Sequence, residues 1–179
     1  MFNSNQCLDV GEIGMRLVPI VDLGTLPEDW LKNLTSLEVF RIWSCNRLNS
    51  LSPGIQHLTA LQDLVLSNCR ELELVNDEDG LQWQGLKSLL SLNIQYLPKL
   101  TAIPEWIHNC TSLKVLEIDE CSSLTSLPER MRSLTSLQTL KIHNCPILLQ
   151  RCEREAGEDW AKIAHIPELK LTESDSDSD

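Results

Sequence analysis

The residues Leu113-Lys-Val-Leu116-Glu-Ile118-Asp-Glu-Cys121-Ser-Ser-Leu124 place apolar side chains and one cysteine at fixed steps, in the pattern L-x-x-L-x-I-x-x-C-x-x-L. Around the second and third steps, apolar and polar residues alternate, which is the period of a strand with one buried face. The same pattern begins again, with a few apolar substitutions, at Leu37, Leu61, Leu89 and Leu137. The chain is therefore built from repeats.

The repeats keep one register along the chain. Counted from the leading apolar residue, the units start at positions 34, 58, 86, 110 and 134, separated by 24, 28, 24 and 24 residues. This pattern and period are typical of leucine-rich repeats, in which each unit adds a short strand to a horseshoe. We predict an α/β leucine-rich-repeat solenoid. It has a curved parallel sheet on its concave side, irregular or short helical return legs, and about five full repeats plus caps.

Prolines mark the return legs. Pro27, Pro104 and Pro128 each follow an apolar residue. Proline cannot donate to a strand ladder and biases its predecessor towards extended geometry, so we expect irregular chain or a short helical turn after each. Four cysteines share the eleventh position after the repeat start, where a small polar group can bond the backbone at the turn out of the strand: Cys45, Cys69, Cys121 and Cys145.

The periodicity also sets the segment boundaries. Residues 1–33 keep an apolar rhythm, but glycines and Pro19 interrupt the strand half, so we interpret them as a degenerate or truncated N-terminal repeat. Residues 34–145 contain the full repeats. The second repeat has four extra residues, which predict an acidic loop around residues 77–79.

The last part of the chain departs from the repeat pattern. Residues 146–171 are a predicted capping segment, with a short helix that starts at Pro146 and stops at Gly157. Three apolar residues after it are expected to cover the last rung: Trp160, Ile163 and Ile166. Residues 172–179 are Thr-Glu followed by alternating serine and aspartate, and they are predicted to be disordered. In this tail, Ser174 and Ser176 have an acid three residues on and are possible phosphorylation sites; a plain solubilising tail is the alternative.

Composition argues against a nucleic-acid partner, a membrane span, disulfide bonds and a metal site. With 15 Lys and Arg against 26 Asp and Glu, the net charge is −11, so no nucleic-acid partner is expected. No apolar run is long enough for a membrane span, and no signal peptide is visible at the N-terminus. The repeat explains the cysteine spacing without disulfides, zinc or any other metal, and reduced thiols fit a cytoplasmic location.

The repeat units and the end of the folded part carry a family resemblance. Units of the form Leu-Thr-Ser-Leu-x-x-Leu-x-Ile-x-x-Cys, with the return leg Pro104-Glu-Trp-Ile, resemble the repeats of plant intracellular immune receptors. More specific is Cys145-Pro-Ile-Leu-Leu-Gln-Arg-Cys152, followed by Gly157-Glu-Asp-Trp160-Ala-Lys-Ile-Ala-His165-Ile-Pro. This segment is similar to the C-terminal sequence of the coiled-coil type nucleotide-binding leucine-rich-repeat (NLR) disease-resistance proteins. The resemblance covers about residues 20–171.

In that family the repeats bind pathogen effectors or guarded host proteins, and they also hold a nucleotide switch in its inactive state. The resemblance therefore implies a defence-related, innate-immunity module whose partners are such proteins and the receptor's own switch domain. The sequence lacks the family's G-x-x-x-x-G-K-[ST] phosphate loop, coiled-coil domain and switch domain. We expect no cofactor in this chain, with ADP or ATP confined to the missing switch domain. The chain is interpreted as the C-terminal piece of a receptor or a truncated gene product.

No catalytic constellation is visible, so we expect a protein-binding module and not an enzyme. Four histidines are present, of which only His143 is expected on the strand surface, without a carboxylate or thiol partner. The candidate partner-binding residues lie at outward strand positions on the concave face, or just after a strand: Arg41, Trp43, Asp63, Ser67, Asn93, Gln95, Tyr96, Glu117, Asp119, Lys141 and His143. Arg41 and Trp43 have the composition of a binding hot spot. Alternatively, Trp43 packs on Arg41 and only covers its own turn.

Five strands give a concave patch of about 500 Å², short of the roughly 800 Å² per partner in a standard interface. Three other functional classes stay open. A signalling scaffold of the Ras-regulator type, binding a phosphatase or a small GTPase, is disfavoured by the Gly-Glu-Asp-Trp segment. A secreted inhibitor or receptor ectodomain is disfavoured by the cysteine pattern and the absent signal peptide. A non-functional receptor fragment is compatible with the sequence.

Overall fold

The structure, a computed structural model, describes residues 8–11, 14–17, 24–74 and 84–173. Within these residues the strands form one eight-stranded sheet in chain order, from β1 to β8. The strands are β1 (Leu8–Gly11), β2 (Gly14–Leu17), β3 (Val39–Trp43), β4 (Asp63–Ser67), β5 (Ser91–Gln95), β6 (Val115–Asp119), β7 (Thr139–His143) and β8 (Glu168–Thr172). Three short helices accompany them: α1 (Glu28–Leu31), α2 (Pro146–Arg151) and α3 (Trp160–Ile163).

Strands β2 to β8 are parallel and in exact repeat register, and this confirms the predicted leucine-rich-repeat solenoid. In β4 to β7 the second and fourth residues are buried, and the other three are half-buried on the opposite face. The buried pairs are Leu64 and Leu66, Leu92 and Ile94, Leu116 and Ile118, and Leu140 and Ile142, each at most 1% exposed. Alternation therefore separates a core face from a concave outer face.

The return legs are short 3-10 turns, as the prolines predicted. They span Pro53–His57, Glu105–Asn109 and Glu129–Ser133, while α1 takes this place in the first unit. Neighbouring legs satisfy each other's backbone: the Glu105 carboxylate accepts the N–H groups of Glu129 and Arg130 at 2.8 and 3.2 Å. In a leucine-rich-repeat solenoid the strands line the concave side of the horseshoe and the return legs form its outer side.

The four register cysteines bond the backbone at the end of each strand, as expected. Their Sγ atoms donate to the carbonyl two residues earlier, at 3.1 Å for Cys145 and 3.4 Å for Cys69 and Cys121. The six cysteines of the described residues are all buried. Burial raises the pKa of the Cys110 and Cys121 thiols to about 12, so these groups stay protonated and unreactive at neutral pH.

The C-terminal segment adds a strand that the sequence analysis did not predict. After α2 and α3, β8 pairs in parallel with β7, so Thr172, which was assigned to the tail, is the last residue of the sheet. The helix that begins at Pro146 ends at Arg151, and not at Gly157 as predicted. Gly157 serves a different purpose, since a Cβ atom there would lie 2.1 Å from the Arg151 carbonyl oxygen.

An ion cluster joins the cap to the last return leg. Asp159 is fully buried; its carboxylate accepts the Leu127 N–H at 2.8 Å and pairs with Arg151 at 3.1 Å. Lys162, 6% exposed, donates to the Leu127 carbonyl at 2.7 Å and pairs with Asp159 and Glu129 at 2.9 Å. The side chains of Asp159 and Lys162 thus form the hydrogen bonds that the Leu127 N–H and carbonyl need, in the place where another return leg would stack.

Burial is the largest single influence on the Asp159 pKa and acts to raise it. Hydrogen bonds from Arg151, the Leu127 N–H and Lys162 outweigh burial, so the pKa lies below its usual value. For Lys162, burial likewise opposes the charge, but bonds to Glu129 and Asp159 raise the pKa. Both groups are therefore held in their charged forms.

Residues 14–17 occupy a strand position beside β3, within the segment interpreted as a degenerate repeat, and β1 pairs with β2 as an antiparallel hairpin. That hairpin was not predicted. Three expectations lie outside the described residues: the acidic loop around 77–79, the disorder of the Ser/Asp tail beyond Glu173, and the phosphorylation of Ser174 and Ser176.

The variant Leu116→Asp should abolish cooperative folding, because it places a charge in the core shared by neighbouring rungs, at a cost of several kcal/mol. Thermal melting followed by circular dichroism measures this. The adjacent Val115→Asp, on the concave face, is the control. Its free energy of unfolding should lie within about 1 kcal/mol of the parent value. A normal melting curve for Leu116→Asp would overturn the register.

The variant Asp159→Asn should lower the free energy of unfolding by about 3 kcal/mol, because it leaves Arg151 and buried Lys162 without their shared carboxylate. Glu158→Gln, which removes an exposed partner of the same Arg151, should cost at most about 1 kcal/mol. Chemical denaturation measures both. Equal effects from the two variants would refute the special role of Asp159.

The Asp159 contribution should also depend on pH. Because its pKa is lowered by folding, the stabilisation is present above the unfolded-state value of about 3.9 and is lost as the pH falls through the folded-state value. The stability difference between the parent and Asp159→Asn should therefore shrink below about pH 4. A difference that stays constant into acid would show that ionisation of Asp159 is not the cause.

Candidate binding surface

The outward side chains of the sheet form three rows that run across the rungs. The middle row, by strand register, is Arg41, Val65, Asn93, Glu117, Lys141 and Lys170. The row nearer the strand ends is Trp43, Ser67, Gln95, Asp119, His143 and Thr172. Because parallel pairing fixes these neighbours, residues some 24 to 29 positions apart in sequence become adjacent on one surface.

A cavity lies at the N-terminal half of this face. It has a volume of about 440 Å³ and is lined by Arg41, Trp43, Val65, Ser67 and Gln95. Trp43 is 49% exposed, a large fraction for an aromatic side chain on a sheet. The cavity thus combines an aromatic ring, an aliphatic side chain, a cation and two neutral polar groups, which is the usual composition of a recognition pocket.

The C-terminal half of the face is paired within itself. Lys141 binds Glu117 at 3.2 Å, and Lys170 binds Glu168 at 2.8 Å. The Asn144 amide donates to the Asp119 carboxylate at 3.3 Å. Hydrogen bonds from Lys170, the larger effect, and from Thr139 lower the pKa of the Glu168 carboxyl group. Both lysines of this half are therefore paired with a glutamate, whereas the partner of the Asp119 carboxylate is a neutral amide.

One residue after each of β3 to β7 adopts a left-handed backbone, with φ between 52° and 58°. These residues are Ser44, Asn68, Tyr96, Glu120 and Asn144. Their N–H groups bond the last carbonyl of the next strand, for example Tyr96 to Asp119 at 3.0 Å. Asparagine tolerates this conformation, whereas tyrosine and glutamate are uncommon there. Side chains of the five residues form a rim along one edge of the concave face.

Tyr96 and Glu120 interact across this rim. Tyr96 is 46% exposed, and its hydroxyl donates to the Glu120 carboxylate. The negative charge of Glu120 is the larger cause that raises the pKa of the phenol, and this hydrogen bond is the second. Asn68 similarly donates to the Ser44 hydroxyl at 3.0 Å. Side chains of the rim therefore interact with rim side chains of the neighbouring rung.

One polar atom on the face is buried without a hydrogen bond. Among the described residues, the Asn93 Oδ1 atom is the buried side-chain oxygen or nitrogen that has no partner. It sits in the middle row, between Val65 on one side and Glu117 on the other. An unpaired buried acceptor costs free energy, and a donor supplied by a ligand would recover it.

The structure places the eleven predicted residues on this face or its rim. It brings four of them together around the cavity, namely Arg41, Trp43, Ser67 and Gln95. Asp63, Asn93, Glu117, Asp119, Lys141 and His143 occupy outward positions on other parts of the face, and Tyr96 lies on the rim. Whether they bind a partner stays a prediction.

The predicted set omits several residues of the same surface. Val65 lines the cavity, Glu120 holds Tyr96, and Glu168, Lys170 and Thr172 extend the face by one rung. The alternation in Glu168-Leu-Lys-Leu-Thr172 is a strand signal that would have revealed the extra rung.

Other chemistry is sparse in the described part of the chain. Residues 24–74 and 84–173 contain no cluster of three or more His, Cys, Asp or Glu side chains arranged to hold a metal ion. Among the described helices, none combines the length and the apolar character that a membrane crossing requires.

Comparison with known proteins identifies the family. Residues 20–146 match the family described as "Plant disease resistance protein RPS2-like, leucine-rich repeats". The chain belongs to this family. Leucine-rich-repeat domains of this kind generally mediate protein–protein interaction.

Two further comparisons add little. No curated protein matches the chain. Among solved structures, the chain is similar to the leucine-rich repeat domain of the type III effector XopL, with 18% identity and a TM-score of 0.40. That match covers 90% of this chain and 77% of the other.

The chain contains a single tyrosine, so phenol ionisation, measured by near-ultraviolet absorbance, reports Tyr96 alone. The parent should titrate above the ordinary value of about 10, because Glu120 favours the neutral phenol. Glu120→Gln should return the pKa towards about 10. Glu117→Gln, which removes a carboxylate paired with Lys141, is the control and should leave the titration unchanged. A parent value already at about 10 would contradict the rim contact.

Proposed function

We propose that this chain is the protein-recognition module of a plant intracellular immune receptor of the NLR class. It recognises a pathogen effector or a guarded host protein through its concave face. The observation that carries the proposal is the cavity at Arg41 and Trp43, which lies on the strand face of a plant disease-resistance repeat domain. The proposed activity is binding, without catalysis.

The exposed aromatic and cationic groups support this reading. Interfaces concentrate their binding energy in a few tryptophan, tyrosine and arginine side chains that bury on contact. Trp43 and Tyr96 are nearly half exposed, and Arg41 stands beside Trp43 in β3. Arg41 and Trp43 lie on β3, and Tyr96 directly follows β5, so a partner that spans the cavity can contact the residues of both strands.

The size of the face supports a shared recognition surface. Six parallel strands, β3 to β8, at about 4.8 Å spacing and with outward residues spread over about 20 Å, give roughly 600 Å². A standard interface uses roughly 800 Å² per partner. We therefore propose that further repeats or a switch domain of the same receptor complete the binding surface.

The proposed mechanism is differential binding. In the resting receptor the concave face contacts the receptor's own switch domain and holds it inactive; an effector or guarded protein replaces those contacts and shifts the equilibrium. ADP or ATP would bind the switch domain, and this chain would need no cofactor. The receptor would act in the cytoplasm.

The double variant Arg41→Glu with Trp43→Ala should leave the circular-dichroism spectrum and melting unchanged, because both side chains are exposed. It should weaken partner binding by at least about tenfold, the usual effect of losing hot-spot residues. The measurement is a pairwise interaction screen against cloned effectors and host proteins, followed by affinity determination for each hit.

The matched control applies the same two chemical changes away from the face, as Arg132→Glu with Trp30→Ala. These residues lie on a return leg and in α1, and Trp30 is 37% exposed. The control should retain full binding. A partner that is lost with the control and kept with the concave variant would place recognition on the convex side and defeat the proposal.

A further inference from the structure

The cavity is lined by a cation, Arg41. The chain has a net charge of −11, and two other cations on the described part of the concave face, Lys141 and Lys170, each pair with a glutamate. Arg41 is exposed and has no ion pair among the residues whose side chains the structure describes. Asp63, at the start of β4, pairs by register with Val39 and not with Arg41, and no ion pair joins it to Arg41.

The register partner of Arg41 in β4 carries no charge. It is Val65, which also lines the cavity. Arg41 therefore presents a positive charge at the concave cavity of an acidic protein.

The cavity lining limits the anion that would fit. The guanidinium fork of arginine matches a carboxylate with two parallel hydrogen bonds. Trp43 and Val65 supply an apolar wall beside it, and the Ser67 hydroxyl and Gln95 amide supply neutral polar groups. A phosphate dianion normally recruits several cations, whereas a single carboxylate needs only one.

We propose that this cavity binds a protein segment in which an aspartate or glutamate carboxylate pairs with Arg41 and an adjacent apolar side chain packs against Trp43 and Val65. The inference rests on the proposed protein-binding role of the concave face and adds the chemistry of the bound segment. The volume of about 440 Å³ lies within the range of about 300–1,000 Å³ found for small-ligand sites, so a few side chains can enter.

The test uses the full chain labelled with fluorotryptophan, in which the Trp43 fluorine resonance is assigned from Trp43→Phe. The probes are two blocked pentapeptides, Ser-Leu-Glu-Leu-Ser and its counterpart with glutamine in place of glutamate. We expect both to shift the Trp43 resonance, with the glutamate peptide binding about fivefold more tightly at low salt. The preference should fall at high salt, because surface charges are screened.

Arg41→Gln should abolish the preference while leaving the weaker binding of the glutamine peptide in place. Arg132→Gln, which neutralises an exposed arginine on a return leg, should keep the preference intact. Equal affinity for the two peptides, or a glutamate peptide that leaves the Trp43 resonance unmoved, would overturn the inference. A phosphoserine peptide that binds better than the glutamate peptide would also overturn it.

Failure here is distinct from failure of the proposed function. The interaction screen with the double variant asks whether the concave face binds proteins at all, and its result does not depend on the peptides. A concave-face partner whose affinity is unchanged in Arg41→Gln would leave the proposed function standing and refute the carboxylate-binding cavity.

Discussion

A rung of this protein cannot bury its own leucines; it buries them only against the rungs on either side. This constraint explains the strict register of β3 to β8, because one misplaced unit would turn its apolar residues towards solvent. It also explains why the ends need special treatment. At the C-terminal end, Asp159 and Lys162 bond the backbone of Leu127 in place of a following leg, and β8 covers β7.

The C-terminal residues that carry the family resemblance are, in the structure, residues that close the solenoid. Gly157 permits a close backbone approach, Asp159 gathers Arg151 and Lys162, and Ile163 lies fully in the core. None of these residues faces the concave surface. The C-terminal resemblance therefore rests on residues with structural roles, while the proposed partner-binding residues lie at positions that the fold leaves unconstrained.

Those unconstrained positions are the outward residues of the strands, and they divide into two kinds. In the C-terminal half, charged side chains find partners on the neighbouring rung, as Lys141 does with Glu117. In the N-terminal half, Arg41 and Trp43 face a cavity beside neutral neighbours. The sheet holds both sets in place, because parallel pairing fixes which outward side chains are neighbours.

The repeat pattern was enough to predict the solenoid, the strand positions, the short turns after the prolines and the backbone bonds of the cysteines, because each follows from local periodicity or from one residue's chemistry. It also placed Arg41 and Trp43 on the outer face, since alternation fixes the direction of a strand side chain. It did not give the cavity that joins Arg41 to Gln95, which lie 54 positions apart and meet only through parallel pairing. Nor did it give β8, the helix end at Arg151, the ion cluster at Asp159 or the contact of Tyr96 with Glu120. Each of these arises from packing between segments distant in sequence, or from a rung edge that must be satisfied by whatever groups lie beside it in the folded chain.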